Sequence, residues 1–82
     1  MSNFDVKLPS LGDDAGDKAT VSVYFRDVGD EIKEGDDLVE MVTDKATFTV
    51  PCPVSGKIVK LTAGEDDVVK VGQSLAIIEV GG

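Results

Sequence analysis

One lysine, set between two strand-like segments, is the residue best placed to carry chemistry in this chain. Lys45 stands in the tetrapeptide Thr43-Asp44-Lys45-Ala46, in a sequence with no histidine and a single cysteine. Without histidine the usual general base is missing, so the thiol of Cys52 has no partner for nucleophilic catalysis. It reads instead as a small filler beside Pro51 and Pro53. An exposed lysine ammonium is in general a poor nucleophile at neutral pH. Two readings of Lys45 therefore stand: a solvated side chain on a loop, or a lysine that bears an attached group. Other candidates fare worse. Gly29, Gly35 and Gly72 are placed as turn residues and not as a phosphate-binding loop. Asp36-Asp37 and Glu65-Asp66-Asp67 hold carboxylates without the spacing of an EF-hand. They read as solvated acidic turns, and no metal site is expected.

The chain that must position Lys45 is short. Its 82 residues make one domain, residues 1–82, and a chain of that size buries about 60% of its unfolded surface. A hydrophobic content of 41% supports a modest core without a metal or disulfide framework. Sixteen acidic against eight basic residues give a net charge of −8. That charge repels phosphate backbones and anionic lipid, so neither nucleic acid nor membrane is an expected partner. One unpaired cysteine suits a reducing compartment. The segment Met1-Ser2-Asn3-Phe4-Asp5 lacks the basic start and apolar run of a signal peptide, and no apolar stretch approaches the roughly 20 residues that span a bilayer. The default expectation is a cytoplasmic monomer.

The apolar residues recur with strand periodicity. Val21-Ser22-Val23-Tyr24-Phe25 is β-branched and aromatic, and Ala46-Thr47-Phe48-Thr49-Val50 alternates with Ala46, Phe48 and Val50 on one face. Leu38–Val42, Leu75–Val80, Phe4–Val6 and Gly56–Leu61 are further strand candidates. Ile32 and Val68-Val69 read as very short strands between turns at Gly29, Gly35, Asp66 and Gly72. No window holds helical spacing over ten residues. The expected class is all-β.

A repeat organises these strands. A shift of 37 aligns Val21 with Ile58, Asp30 with Asp67, Ile32 with Val69, Lys33 with Lys70, Gly35 with Gly72, Leu38 with Leu75 and Met41 with Ile78. A shift of 44 places Phe4-Asp5-Val6 on Phe48-Thr49-Val50, Pro9 on Pro53 and Gly12 on Gly56. The two shifts differ by seven, so the first half carries an extra polar loop, Asp13-Asp14-Ala15-Gly16-Asp17-Lys18-Ala19. Two units are too few for a solenoid. Two similar half-sheets packed about a pseudo-two-fold axis would bury both apolar faces; the alternative is chance similarity among short strands. Under the repeat the counterpart of Lys45 is Gly82, the chain end, so only one of the two related tips is a closed turn. A two-residue hairpin loop prefers Asn-Gly or Asp-Gly, which makes lysine a poor choice for the turn itself. Asp44 suits it better, because its side chain can bond nearby backbone.

The segment Glu40-Met41-Val42-Thr43-Asp44-Lys45-Ala46-Thr47-Phe48-Thr49-Val50-Pro51 resembles the lipoyl-attachment region of lipoyl domains, found in acyltransferase components of 2-oxo acid dehydrogenase complexes. Leu8-Pro9-Ser10-Leu11-Gly12 and Val28–Asp36 precede it, and Pro53-Val54-Ser55-Gly56 and Val71-Gly72-Gln73-Ser74-Leu75 follow it, in the order of that family. The resemblance covers essentially the whole chain. It implies a flattened antiparallel β-barrel or sandwich of two four-stranded sheets, with the lysine at an exposed hairpin tip. It also implies lipoate, joined to Lys45 as an amide by a lipoate ligase or lipoyl transferase, which removes the lysine charge. The domain would then carry acyl groups on a swinging arm. Its implied partners are a 2-oxo acid dehydrogenase, the acyltransferase core and dihydrolipoamide dehydrogenase, and it would have no catalytic residue of its own. Thr43, Asp44 and Ala46 would shape the turn and aid ligase recognition. Asp13, Asp14 and Asp17, in the loop after the first strand, would influence partner choice, against the plainer reading of a tolerated surface insertion.

The chain also departs from the family pattern. Val42 stands where glutamate is common, and the alternation from Met41 turns it outward; Cys52 stands where a small polar residue is usual. No Ala/Pro-rich linker or further domain follows Gly81-Gly82, which leaves an excised domain or a free-standing carrier. Two other readings remain beside the lipoyl carrier: a biotin carrier, whose lysine is usually flanked by methionines where this chain has Asp44 and Ala46, and an unmodified interaction module of the same fold. The lipoyl carrier of glycine cleavage is longer and differs in motif. An independent hydrolase or transferase lacks its acid–base groups.

Overall fold

A computed structural model describes residues 2–10 and 16–81. Among these there are eight strands and no helix: β1 (Ser2–Lys7), β2 (Lys18–Tyr24), β3 (Glu31–Ile32), β4 (Asp37–Val42), β5 (Thr47–Pro51), β6 (Gly56–Leu61), β7 (Val68–Lys70) and β8 (Ser74–Val80). They form two four-stranded antiparallel sheets, ordered β1-β8-β6-β3 and β5-β4-β2-β7. The sheets stay separate, so the body is a flattened sandwich and not a closed barrel.

The two sheets are copies of one another, pair by pair. Ile58 opposes Ile78 as Val21 opposes Met41, and Ile32 opposes Gly56 as Val69 opposes Ala19. Phe4 opposes Ile78 as Phe48 opposes Met41, which realises the second shift. Turn bonds repeat too. The Gly29 N–H donates to the Ile58 carbonyl and the Asp66 N–H to the Val21 carbonyl; Gly35 donates to Cys52 and Gly72 to Leu8. Gly29 and Asp66 are likewise mates in backbone conformation, with φ of 94° and 71°. Asp is among the few residues that enter the left-handed region at modest cost.

The core follows the same two-fold logic. Its buried residues form mates such as Val6 with Val50, Leu8 with Cys52, Val21 with Ile58, Leu38 with Leu75, Val39 with Ala76 and Met41 with Ile78. Strict alternation would turn Val39 and Ala76 outward. Both are buried, because register shifts fall on their own strands, between Asp37 and Val39 where β4 pairs β5 and between Ser74 and Ala76 where β8 pairs β1, and a bulge re-aims the residues it displaces. The bulges are themselves mates. Tyr24 breaks the symmetry: its hydroxyl donates to the Leu75 carbonyl at 3.0 Å, from one sheet to the other, where its mate is Leu61. Burial pushes the Tyr24 hydroxyl above the ordinary value of 10.0; a backbone hydrogen bond with Ala63 opposes this, and the charge of Asp67 adds to it.

Some expectations need correction. Ala46 lies outside β5 and is exposed, Phe48 is half-buried, and only Val50 of that face is fully buried. Phe25 falls just past β2 and is exposed. Lys18 and Ala19 are not loop residues: they pair with Lys70 and Val69, because β7 recruits them as the mates of Ser55 and Gly56. Cys52 is 1% exposed and its thiol donates to the Val54 carbonyl, so it fills in its half the place of Leu8.

Candidate functional site

The β4–β5 hairpin presents Lys45. Its last registered pair is Val42 opposite Thr47, and residues 43–46 close the tip. Closure comes from one hydroxyl. Thr43 Oγ1 accepts from the Ala46 N–H at 3.0 Å and from the Lys45 N–H at 3.2 Å, and donates to the Ala46 carbonyl at 3.2 Å. The Thr43 N–H donates to the same carbonyl at 2.8 Å. Neither Asp44 nor Lys45 has a positive φ, so the tip is not one of the primed turns that demand Asn-Gly or Asp-Gly. The threonine side chain stands in for the carbonyl of residue i, the bond pattern of an ST-turn. That is why lysine fits a position the turn rules disfavour, and it is Thr43, more than Asp44, that ties side chain to backbone.

Asp44, Lys45 and Ala46 are exposed, and Thr43 is half-buried. Beside them an open cleft of about 540 Å³ is lined by Gly16 to Thr20, Val42, Thr43, Asp44 and Val68. Asp17 is exposed, and its carbonyl accepts from the Val71 N–H, which ties the segment before β2 to the β7–β8 turn. The structure thus brings Asp17 and the tip to one cleft. Asp13 and Asp14 lie outside the described residues. Among the described residues no polar side chain is buried, and no three His, Cys, Asp or Glu side chains gather as metal ligands would. Sequence reasoning missed the contribution of Val68, which lines the cleft from β7; only the strand pairing puts it beside a tip more than twenty positions away.

A two-sheet sandwich with a lysine on its one closed tip can be compared with known proteins. Residues 5–78 match the model of the biotin/lipoyl family, described as "Biotin-requiring enzyme". The chain belongs to this biotin/lipoyl family. It is 38% identical, over 94% of its length, to the dihydrolipoyllysine-residue succinyltransferase component of the 2-oxoglutarate dehydrogenase complex of Bartonella vinsonii, and spans 18% of that protein. It is 39% identical, over 92% of its length, to the dihydrolipoyllysine-residue acetyltransferase component of the pyruvate dehydrogenase complex of Corynebacterium glutamicum, and spans 11% of it. Among solved structures, the lipoyl domain of the 2-oxoglutarate dehydrogenase complex of Azotobacter vinelandii matches with a TM-score of 0.75 and 27% identity, covering 95% of this chain and 98% of that one. The fold of this family member is therefore the lipoyl-domain fold.

Proposed function

We propose that this chain is a lipoyl carrier, holding lipoate in amide linkage to Lys45 and shuttling acyl groups between the active sites of a 2-oxo acid dehydrogenase complex. The observation that carries the reading is the tip itself: an exposed lysine, preceded by Thr43-Asp44 and followed by Ala46, on a hairpin closed by the Thr43 hydroxyl. The residues fit the group. A ligase needs an amine that it can surround, and Lys45 is an exposed residue on a tip held by hydrogen bonds from the Lys45 and Ala46 N–H groups to the Thr43 hydroxyl. When bound, lipoate supplies a dithiolane that accepts electrons and an acyl group.

The protein's own part is presentation. The sandwich anchors the arm on a rigid base, and Thr43 holds the backbone of Lys45 and Ala46 in the turn. In this reading the reactions belong to the partners: the dehydrogenase, the acyltransferase core and dihydrolipoamide dehydrogenase. We assign the domain no catalytic role. Asp44 and Ala46 serve ligase recognition, Asp17 and the segment before it serve partner choice, and the carrier works as a monomer in the cytoplasm.

Intact mass tests the attachment. Incubation with lipoate, ATP and a lipoate ligase should add one lipoyl group, and Lys45→Ala should add none. A biotinyl addition with biotin and its ligase, or no addition while a control lipoyl domain is modified, would sink the proposal.

A further inference from the structure

We propose that the cleft beside the tip is a resting site for the ring of the arm borne on Lys45, formed by Val42 and Val68 across three strands. The inference rests on the carrier reading and goes beyond it, since a swinging arm needs no resting site.

The two-fold symmetry supplies the argument. On the outer face of one sheet, Val68 opposes Thr20, Thr20 opposes Val42, and Val42 opposes Thr47, the last pair before the tip. The mates of these residues form an equivalent row in the other sheet: Glu31 opposes Lys57, Lys57 opposes Glu79, and Glu79 opposes Asn3. The first three residues of each row line a cleft, of about 540 Å³ beside Lys45 and about 550 Å³ at the related place. The fold has thus built one groove twice, from residues that are mates. At the end without the lysine, the row is Glu-Lys-Glu-Asn; beside the lysine, the same positions are Val-Thr-Val-Thr. The fold tolerates charge at these places, so folding does not demand valine. Val68 is 58% exposed, the most exposed large hydrophobic side chain among the described residues. Valines line the groove beside the attachment lysine where the related groove carries glutamates, a lining that suits an apolar ligand there.

Size and tether choose the occupant. The groove lies within the range of about 300–1,000 Å³ usual for small-molecule pockets. Thr43 and Asp44, the two residues before Lys45, form its rim, so an arm rooted at Lys45 starts at the edge of the groove. A short flexible tether gives an effective concentration of about millimolar or more. An apolar contact too weak to matter between separate molecules therefore holds within one. The methylenes and dithiolane of the arm are such a contact; Val42 and Val68 would shelter the ring between transfers.

Methyl-resolved NMR on the full chain, lipoylated at Lys45 and verified by mass, decides the matter. Cross-relaxation should join the dithiolane protons to the Val42 and Val68 methyls. These methyl shifts should differ from those of the unmodified chain and from an octanoylated control that lacks the ring. Val68→Glu, which copies Glu31, should abolish those contacts while the mass still shows full lipoylation, and Val68→Leu should keep them. Reduction of the ring by a water-soluble phosphine should become about twofold faster in Val68→Glu if the ring rests for half the time. A fully lipoylated chain whose valine methyls coincide with those of the unmodified form overturns the resting site and leaves the carrier reading standing. Methyl shifts that appear only on adding a dehydrogenase overturn it too, and make the groove a partner surface. Failure to take up lipoate at all sinks the carrier reading and this inference together.

Discussion

The two ends of the sandwich are built from matched residues and differ in what they present. At one end the chain turns through Thr43-Asp44-Lys45-Ala46; at the related place Val80 and Ser2 are paired and the chain does not close. Along the outer face, valines approach the closed end and charges the open one. Symmetry constrains the core, where Leu8 must match Cys52 and Val21 must match Ile58 in one packed layer. Solvent releases the outer rows and the ends from that constraint, and difference accumulates there. The proposed attachment lysine and its cleft lie where the two halves are free to diverge.

Several substitutions would break or sharpen this comparison. Gly56→Ala should cost the most. Its mate Ala19 already carries a Cβ, yet at Gly56 a Cβ would overlap the Glu79 carbonyl oxygen and stand 2.8 Å from Ile78 Cγ2. We expect a loss of about 3 kcal/mol in urea unfolding, the upper part of the usual range for overpacking; Ala19→Gly should cost only about 1 kcal/mol. Equal costs at the two sites would mean the halves are packed more alike than the geometry shows.

Tyr24→Phe comes next. It removes the hydrogen bond to Leu75 that joins the sheets, worth about 1 kcal/mol. Its pH dependence is specific. A hydroxyl raised above 10.0 in the folded state contributes stability that is fully present below that pH and is lost as pH rises through the folded value. Wild type should therefore lose stability above about pH 10 by a margin that Tyr24→Phe lacks. Identical alkaline profiles would remove the hydroxyl from the account.

Thr43→Val should have the smallest effect on global stability, about 0.5 kcal/mol, because the bonds it removes are exposed. Its local effect should be plain: faster amide exchange at Lys45 and Ala46, and slower ligation, with β1 to β3 unchanged. An unaltered tip would show that the backbone bond from Thr43 to Ala46 closes it alone.

Much of this was legible in the chain. Strand content, the short β3 and β7, the turns at Gly29, Gly35 and Gly72, and the pairing of the halves all follow from local periodicity and spacing. The start of β2 was not legible. Lys18 and Ala19 look like loop and become strand only because β7 offers them partners. Ala46 looked like the first residue of an inward face, but the Thr43 hydroxyl draws it into the turn. The burial of both Leu38 and Val39 escaped the alternation rule, since a bulge on β4 itself, where it pairs with β5, sets it.

The sequence by itself determined the class of the fold, its doubling and the single closed tip, because strand periodicity and repeat spacing are written along one dimension. Only the tertiary structure decided how the tip is closed, which residues share its cleft, and that the cleft has a charged twin. Those depend on contacts between residues far apart in the chain. Val68 lies next to Val42 through Thr20 on β2, and no local pattern of residues records that pairing.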